Sequence, residues 1–143
     1  MATDRRAEVT WQGSLMEGSG TIRSTTSGAL GEQQVSWPNR AEDNPDKTSP
    51  EELIAAAHAA CFSMALSHAL AQAGNEPEEL RTSATVTFQP GEGITKIALT
   101  VDGRVPGIGA QQFEEAANTA KENCPVSKAL ASVPEITLEA RLT

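Results

Sequence analysis

The sequence predicts an α+β fold in which a long buried central helix is wrapped by mainly antiparallel sheets. An apolar run without charged side chains continues from residue 53 to residue 73. Alternating polar and apolar residues predict short strands before and after this run. The predicted order is three strands, one long helix, two strands, two helices and one strand, which belongs to the α+β class. The length of 143 residues suits one domain, so residues 1–143 are assigned to a single domain.

The long helix has clear start and stop signals. Ser49 can cap its N-terminus, Pro50 suits the first helical position, and Glu52 completes a capping box. Gly74 ends the helix after a length of roughly 36 Å. A helix that is apolar nearly all round is buried on nearly all sides. Because this helix is long for so small a domain, we expect a second copy of the chain to help enclose it, as an intertwined homodimer.

The other elements follow from local residue patterns. Alternation and β-branched residues predict strands at 7–11, 21–25, 29–37, 83–88, 94–101 and 135–142. Helical spacing predicts an amphipathic helix at 111–121, and Pro125 predicts the start of a short second helix. Residues 39–49 are predicted to form a polar loop with a turn at 44–46.

Charge and hydropathy limit the partners and the compartment. The net charge of −8 disfavours binding to nucleic acid and to anionic membranes, since both recruit clusters of Lys and Arg. The first residues contain no apolar stretch typical of a signal peptide, so a cytoplasmic location is expected. The central helix is long enough to cross a membrane. However, its many alanines, its two histidines and its acidic leading flank favour a helix inside a protein core.

Histidines and cysteines allow two chemistries that their spacing does not favour. The candidate zinc ligands are His58, Cys61, His68 and Cys124. Neither a CxxC pair nor an HExxH motif is present, so no metal is expected and both histidines are interpreted as packing residues. Hydrolysis by Cys61 with His58 as its base would lack an oxyanion hole, because backbone N–H groups in mid-helix are already bonded.

The two cysteines, Cys61 and Cys124, allow a third chemistry, which is thiol redox. Their number alone favours two inert buried thiols, although structural disulfides are rare in the cytoplasm. A redox role needs a thiolate, a cation that stabilises it and a second thiol. Arg40 can supply the cation and Glu51 can hold Arg40, while the start of the short helix favours a thiolate at Cys124. A purely solvated Arg40 remains the alternative.

Two segments resemble the signatures of the OsmC/Ohr family. They are residues 49–66 (SPEELIAAAHAACFSMAL) and 123–130 (NCPVSKAL). Residues 94–99 (ITKIAL) and 105–108 (VPGI) are also similar to the family. The similarity extends in order over nearly the whole chain, and HAACFSMA at 58–65 resembles the OsmC branch more than the Ohr branch.

The resemblance implies a thiol-dependent peroxidase that reduces organic hydroperoxides, and less efficiently hydrogen peroxide, in stress defence. By motif position, Cys61 would be the peroxidatic cysteine and Cys124 the resolving cysteine that joins it in a disulfide. An external dithiol would reduce this disulfide, typically a dihydrolipoyl group on a carrier protein, and no cofactor would be needed. Glu51 matches the glutamate of the family, and Arg40 matches its OsmC-type arginine, with Arg23 as the alternative.

The resemblance also implies an intertwined dimer, and the residue spacing adds where its sites would lie. Glu51 and Cys61 are ten residues apart, which is roughly 15 Å along a continuous helix and about 80° around it. We therefore expect Glu51 and Arg40 to serve Cys61 of the partner subunit. An apolar pocket of Phe62, Met64 and residues of the partner subunit would favour fatty or aromatic hydroperoxides. The alternative is a non-catalytic stress protein with inert thiols that binds a small apolar ligand.

Overall fold

The computed structural model describes residues 1–42 and 46–143, which form two compact units, Met1–Leu53 and Ile54–Thr143. In chain order the elements are β1 (Glu8–Gln12), β2 (Ser19–Arg23), β3 (Gln33–Val35), α1 (Trp37–Ala41), α2 (Pro50–Gln72), β4 (Glu79–Gln89), β5 (Gly93–Arg104), α3 (Ala110–Asn123), α4 (Pro125–Ala129) and β6 (Glu135–Leu142). Each unit contains a three-stranded sheet. The turn predicted at 44–46 lies largely outside the described residues. The assignment of the whole chain to one domain stays a prediction.

The N-terminal unit is built on an antiparallel sheet in the order β1-β2-β3. Gly20 and Ile22, two residues apart in β2, are both buried, as the alternation of a strand requires. A Cβ atom on Gly20 would lie 2.9 Å from the side chains of Trp11 and Val35. Because Gly20 has no side chain, the side chains of Trp11 and Val35 on the two neighbouring strands can pack directly against the backbone of β2.

The predicted third strand is too long, and a short helix follows it. β3 has only three residues, and Trp37 already begins α1. Ser36 caps this helix, because its hydroxyl oxygen accepts a hydrogen bond from the N–H of Asn39 at 3.4 Å. Arg40 therefore lies in the last turn of a helix, where the sequence predicted a loop.

The C-terminal unit has a sheet in the order β4-β5-β6. β4 and β5 are antiparallel, whereas β5 and β6 are parallel. The parallel pairing follows from α3 and α4, since a helical connection carries the chain back along the sheet before β6 begins. Mainly antiparallel pairing is confirmed for the described strands. The core consists of buried apolar side chains: Phe62, Leu66, Leu70, Ile97, Leu99, Val101, Val105, Phe113, Ala117 and Ala120.

The helix α2 begins with the predicted cap and buries one face. The N–H of Glu52 donates to the hydroxyl of Ser49 at 3.1 Å. Beyond the first turn, where Glu51 is buried, the buried residues of the helix are four apart and are His58, Phe62, Leu66 and Leu70. Met64, on another face, is 72% exposed, so a single chain leaves part of the apolar surface uncovered. The length and composition of α2 would suffice for a membrane-spanning helix, but core helices of soluble proteins meet the same two criteria.

Candidate active site

Two cysteine sulfurs from distant parts of the sequence meet in the C-terminal unit. Cys61 lies in the middle of α2, and Cys124 lies between α3 and α4 as the N-cap of α4. Both are free thiols, and their Sγ atoms are 2.9 Å apart. A disulfide has an S–S distance of about 2.05 Å, so the sulfurs need to approach by less than about 1 Å to bond.

The two thiols differ in how readily they lose their proton, since the pKa of one is raised and that of the other is lowered. Burial raises the pKa of the Cys61 thiol, and its hydrogen bond with Cys124 raises that pKa further. Burial also raises the pKa of Cys124, but hydrogen bonds from Cys61, Ser127 and Val126 outweigh it and bring the pKa below its usual value. In the single chain, these shifts of the pKa favour a thiolate on Cys124 over one on Cys61. A thiolate on Cys61 would need a cation from outside this pair, as the sequence argument required.

The two cysteines differ in their access to solvent. Cys61 is half-buried, whereas Cys124 is fully buried. A reactive thiol must be reached by its substrate. A small molecule in the solvent can therefore reach Cys61 before Cys124.

The N-terminal unit contains the predicted ion pair between Arg40 and Glu51. Arg40 donates from Nε to both carboxylate oxygens of Glu51, at 2.9 and 3.3 Å. Glu51 lies in the first turn of α2, where the positive end of the helix stabilises a carboxylate. The side chain of Glu51 is 8% exposed and that of Arg40 is 35% exposed. A carboxylate this buried needs a partner, so Glu51 fixes the guanidinium while Arg40 stays partly open to solvent.

A small apolar cavity of about 100 Å³ lies beside Arg40 in the same unit. Its walls are formed by Trp11, Leu15, Val35, Ser36, Trp37, Arg40 and Pro50. The sequence did not reveal this cavity, because residues from β1, α1 and the start of α2 come together only in the folded unit. A local signal existed for Trp37 alone, which precedes Arg40 by three residues.

The predicted apolar pocket of Phe62, Met64 and partner-subunit residues is wrong at Phe62. Phe62 is fully buried in the core and cannot line a substrate pocket. It lies on the buried face of α2, one residue from the half-buried Cys61. Met64 lies on a surface groove formed by α2 and the segment that leads into β4.

One buried contact was not predicted from the sequence. His58 is fully buried, and its Nε2 lies 2.7 Å from the hydroxyl oxygen of Ser127. Burial lowers the pKa of His58, which keeps the imidazole uncharged at neutral pH. Among residues 1–42 and 46–143, no group of three or more His, Cys, Asp or Glu side chains is arranged to hold a metal ion.

The structure therefore brings the predicted site residues together in two pairs. Cys61 and Cys124 touch in one unit, and Arg40 and Glu51 touch in the other. Arg23, the alternative arginine, is exposed at the end of β2. Two free thiols in contact within an α+β fold place the chain in the class of cysteine-based redox proteins.

Comparison with known proteins assigns the chain to one family within this class. A model of the OsmC-like protein family matches residues 42–139, and the chain belongs to this family. It is 44% identical to Peroxiredoxin OsmC of Escherichia coli (strain K12) over 145 residues, which cover 99% of each chain. It is 32% identical to the organic hydroperoxide resistance protein OhrA of Bacillus subtilis (strain 168), over 76% of this chain and 79% of that relative.

Solved structures agree with this assignment. An organic hydroperoxide resistance protein from Elizabethkingia anophelis has a TM-score of 0.72 and 25% identity over 100% of both chains. OhrB of Bacillus subtilis has a TM-score of 0.65 and 28% identity, over 96% of this chain and 98% of that chain. The predicted α+β fold and the resemblance to the OsmC/Ohr family are confirmed.

Proposed function

We propose that this chain, a peroxidase of the OsmC family, reduces organic hydroperoxides through a Cys61 sulfenic acid and a Cys61–Cys124 disulfide. Relatives are named as a peroxiredoxin and as organic hydroperoxide resistance proteins. The observation that carries the proposal is the 2.9 Å distance between the two sulfurs. A sulfenic acid formed on one sulfur can be captured by the other with little movement.

In the first step, the Cys61 thiolate attacks the outer oxygen of the hydroperoxide. An S–O bond forms, the O–O bond breaks, and the departing alkoxide takes up a proton to become an alcohol. Cys61 is thereby oxidised to a sulfenic acid and the hydroperoxide is reduced. Arg40 stabilises both the thiolate and the departing oxygen, because a guanidinium keeps its charge when partly buried. Glu51 holds Arg40 in place.

The arginine and the reacting cysteine come from different subunits in this proposal. α2 is continuous from Pro50 to Gln72, so Glu51 and Cys61 of one chain are roughly 15 Å apart along its axis. In a homodimer, Cys61 can instead receive the partner's Arg40, held by the partner's Glu51. Each dimer then has two composite active sites.

In the second step, the Cys124 thiolate attacks the oxidised sulfur of Cys61. The S–S bond forms, the S–O bond breaks, and the hydroxide leaves as water after it takes up a proton. An external dithiol then reduces the disulfide by thiol–disulfide exchange and is itself oxidised. A dihydrolipoyl group on a carrier protein has the required chemistry.

A cytoplasmic location also stays a prediction.

The cavity beside Arg40 supports a preference for organic hydroperoxides over hydrogen peroxide. Its volume of about 100 Å³ and its apolar walls suit one hydrocarbon group of a substrate whose peroxide lies near the guanidinium. The same cavity favours a second candidate function, a non-catalytic stress protein that binds a small apolar ligand. The two candidates differ in whether the thiols react.

Counting free thiols before and after one equivalent of cumene hydroperoxide tests the proposal. The native chain should lose both thiols, because the second sulfur closes a disulfide on the first. Cys61→Ser should lose none, since the fully buried Cys124 is not the sulfur that meets the peroxide. Cys124→Ser should stop at a sulfenic acid that dimedone labels. Survival of both thiols in the native chain would leave the apolar-ligand candidate.

A further inference from the structure

We infer that His58 is a positioning residue for the resolving cysteine. It orients the Ser127 hydroxyl so that the hydroxyl proton points toward the Cys124 sulfur and supports the thiolate that attacks oxidised Cys61. The inference rests on the proposed function, in which Cys124 closes the disulfide.

The contact between His58 and Ser127 lies beside the cysteine pair. His58 precedes Cys61 by three residues in α2, and Ser127 follows Cys124 by three residues in α4. The imidazole Nε2 and the hydroxyl oxygen are 2.7 Å apart, and the two sulfurs are 2.9 Å apart. Two polar contacts, about one turn apart on each helix, therefore join α2 to the start of α4.

The environment of the imidazole selects one tautomer. His58 is fully buried and uncharged, so it carries a single N–H proton. Within the described part of the chain, Nδ1 is buried without a hydrogen-bond partner, whereas Nε2 faces Ser127. A proton on Nδ1 would be a buried donor without an acceptor, which is the rarer and costlier arrangement. With the proton on Nε2, His58 donates to the Ser127 oxygen and leaves the hydroxyl proton of Ser127 available.

Cys124 lies three residues before Ser127 in the chain, as the N-cap of α4. Ser127 is 7% exposed, and both its hydroxyl and its N–H lower the pKa of Cys124. The side chain of Cys124 makes no capping hydrogen bond to α4. Cys61 from α2 is the titratable group that acts directly on Cys124, while His58 from the same helix acts through Ser127.

The orientation of the Ser127 hydroxyl should affect the second step of the proposed reaction, in which Cys124 attacks oxidised Cys61. Cys124 must be a thiolate when it attacks the sulfenic sulfur of Cys61. The S–S bond forms, the S–O bond breaks, and the leaving hydroxide is protonated to water. A hydroxyl that donates to the Cys124 sulfur lowers the free energy of the thiolate before attack. The first step uses Cys61 and the peroxide, so removal of the His58–Ser127 contact should affect the second step selectively.

The experiment separates the two steps by rapid acid quench after one equivalent of cumene hydroperoxide. Peroxide consumption reports the first step, and intact mass after dimedone treatment distinguishes sulfenic acid from disulfide. His58→Leu and Ser127→Ala remove the contact, whereas His58→Gln keeps an N–H donor of similar reach. His68→Leu makes the matched change at the exposed histidine of the same helix.

We expect His58→Leu and Ser127→Ala to close the disulfide about tenfold more slowly, the effect of one hydrogen bond to a charged group. Sulfenic acid should accumulate in both variants. His58→Gln should recover most of the closure rate, and His68→Leu should close at the native rate. Native closure in His58→Leu would overturn the inference. A His58→Gln chain that closes no faster than His58→Leu would also overturn it, because packing would then be the role of the imidazole.

A second measurement keeps the inference testable if the proposed function fails. If the native chain consumes no peroxide, the peroxidase cycle is wrong, and the thiolate of Cys124 can still be titrated by its ultraviolet absorbance in the Cys61→Ser background. His58→Leu and Ser127→Ala should then raise the apparent pKa of Cys124, and His58→Gln should not. An unchanged pKa in His58→Leu would overturn the placement of the hydroxyl proton.

Discussion

At the scale of single residues, Glu51 is the acidic side chain of the proposed site, and it is buried. Its side chain is 8% exposed, and its two carboxylate oxygens share the N–H of Arg40 Nε. A buried carboxylate that loses its partner is strongly destabilising. Glu51 therefore needs Arg40 as its partner and holds it in position, and the proposed first step depends on both residues.

Glu51→Gln should slow the oxidation of Cys61 by hydroperoxide roughly tenfold, because the ion pair with Arg40 becomes a weaker hydrogen bond to a neutral amide. The amide keeps the shape of the side chain, so the fold should be retained. The measurement is the second-order rate of peroxide consumption by the reduced protein. Glu52→Gln, at the exposed neighbouring position, is the matched control and should react at the native rate. Equal slowing in both variants would show that the Arg40–Glu51 pair has no special role.

The sequence could predict the Arg40–Glu51 contact but not the contact of His58 with Ser127. Glu51 lies in the first turn of a well-capped helix and follows Arg40 across a short polar segment, so a charge argument sufficed. His58 and Ser127 are 69 residues apart in the sequence. Both are uncharged and buried, and their meeting depends on how α4 packs against α2.

At the scale of secondary structure elements, β5 and α3 pack closely because Gly103 of β5 has no side chain. A Cβ atom on Gly103 would overlap the ring of Phe113, and it would also lie 3.3 Å from the side chain of Leu80. Phe113 is fully buried in the core. The glycine is therefore required by the close approach of the helix to the strand.

Gly103→Ala should destabilise the protein by about 1–3 kcal/mol, the usual cost of overpacking a core. In a strand the same change without overlap would be stabilising by about 0.5–1 kcal/mol. A decrease in the free energy of unfolding would therefore be caused by the overlap with Phe113. Urea unfolding of the reduced protein measures it. Phe113→Leu makes room for the new methyl group, and the double variant should lose less than the two single changes together. Strict additivity would contradict this account of the packing.

Elements with local signals were predicted closely, whereas those set by tertiary contacts were not. The start of α2 was predicted because Ser49 and Pro50 act within one helical turn. The sequence missed α1, since five residues with an internal proline resemble a loop until Ser36 is seen to cap them. The parallel pairing of β6 could not be predicted either, because it depends on the path of the chain through α3 and α4.

At the scale of the whole molecule, α2 connects the fold to the predicted dimer. The buried face of this helix faces the core of its own chain, while Met64, on another face, is largely exposed. An exposed apolar surface on a central helix is typical of an interface. The predicted second subunit would cover this surface and supply the arginine that is proposed to act on Cys61. One arrangement would thereby satisfy both the packing of α2 and the chemistry of the cysteine pair.

Mixed dimers test this arrangement, once light scattering has given a mass near twice the 15.0 kDa of one chain. Cys61→Ser removes the reacting thiol, and Glu51→Ala removes the anchor of Arg40, so each homodimer should be nearly inactive. A purified heterodimer of the two variants, isolated through different tags, should regain about half of the native activity, because a symmetric dimer with shared sites retains one intact site of two. Sites contained within one chain would predict no recovery, since each chain then carries a defect in its own site. A heterodimer of Cys61→Ser with Cys124→Ser is the matched control, because both cysteines belong to the same unit and no intact pair is restored.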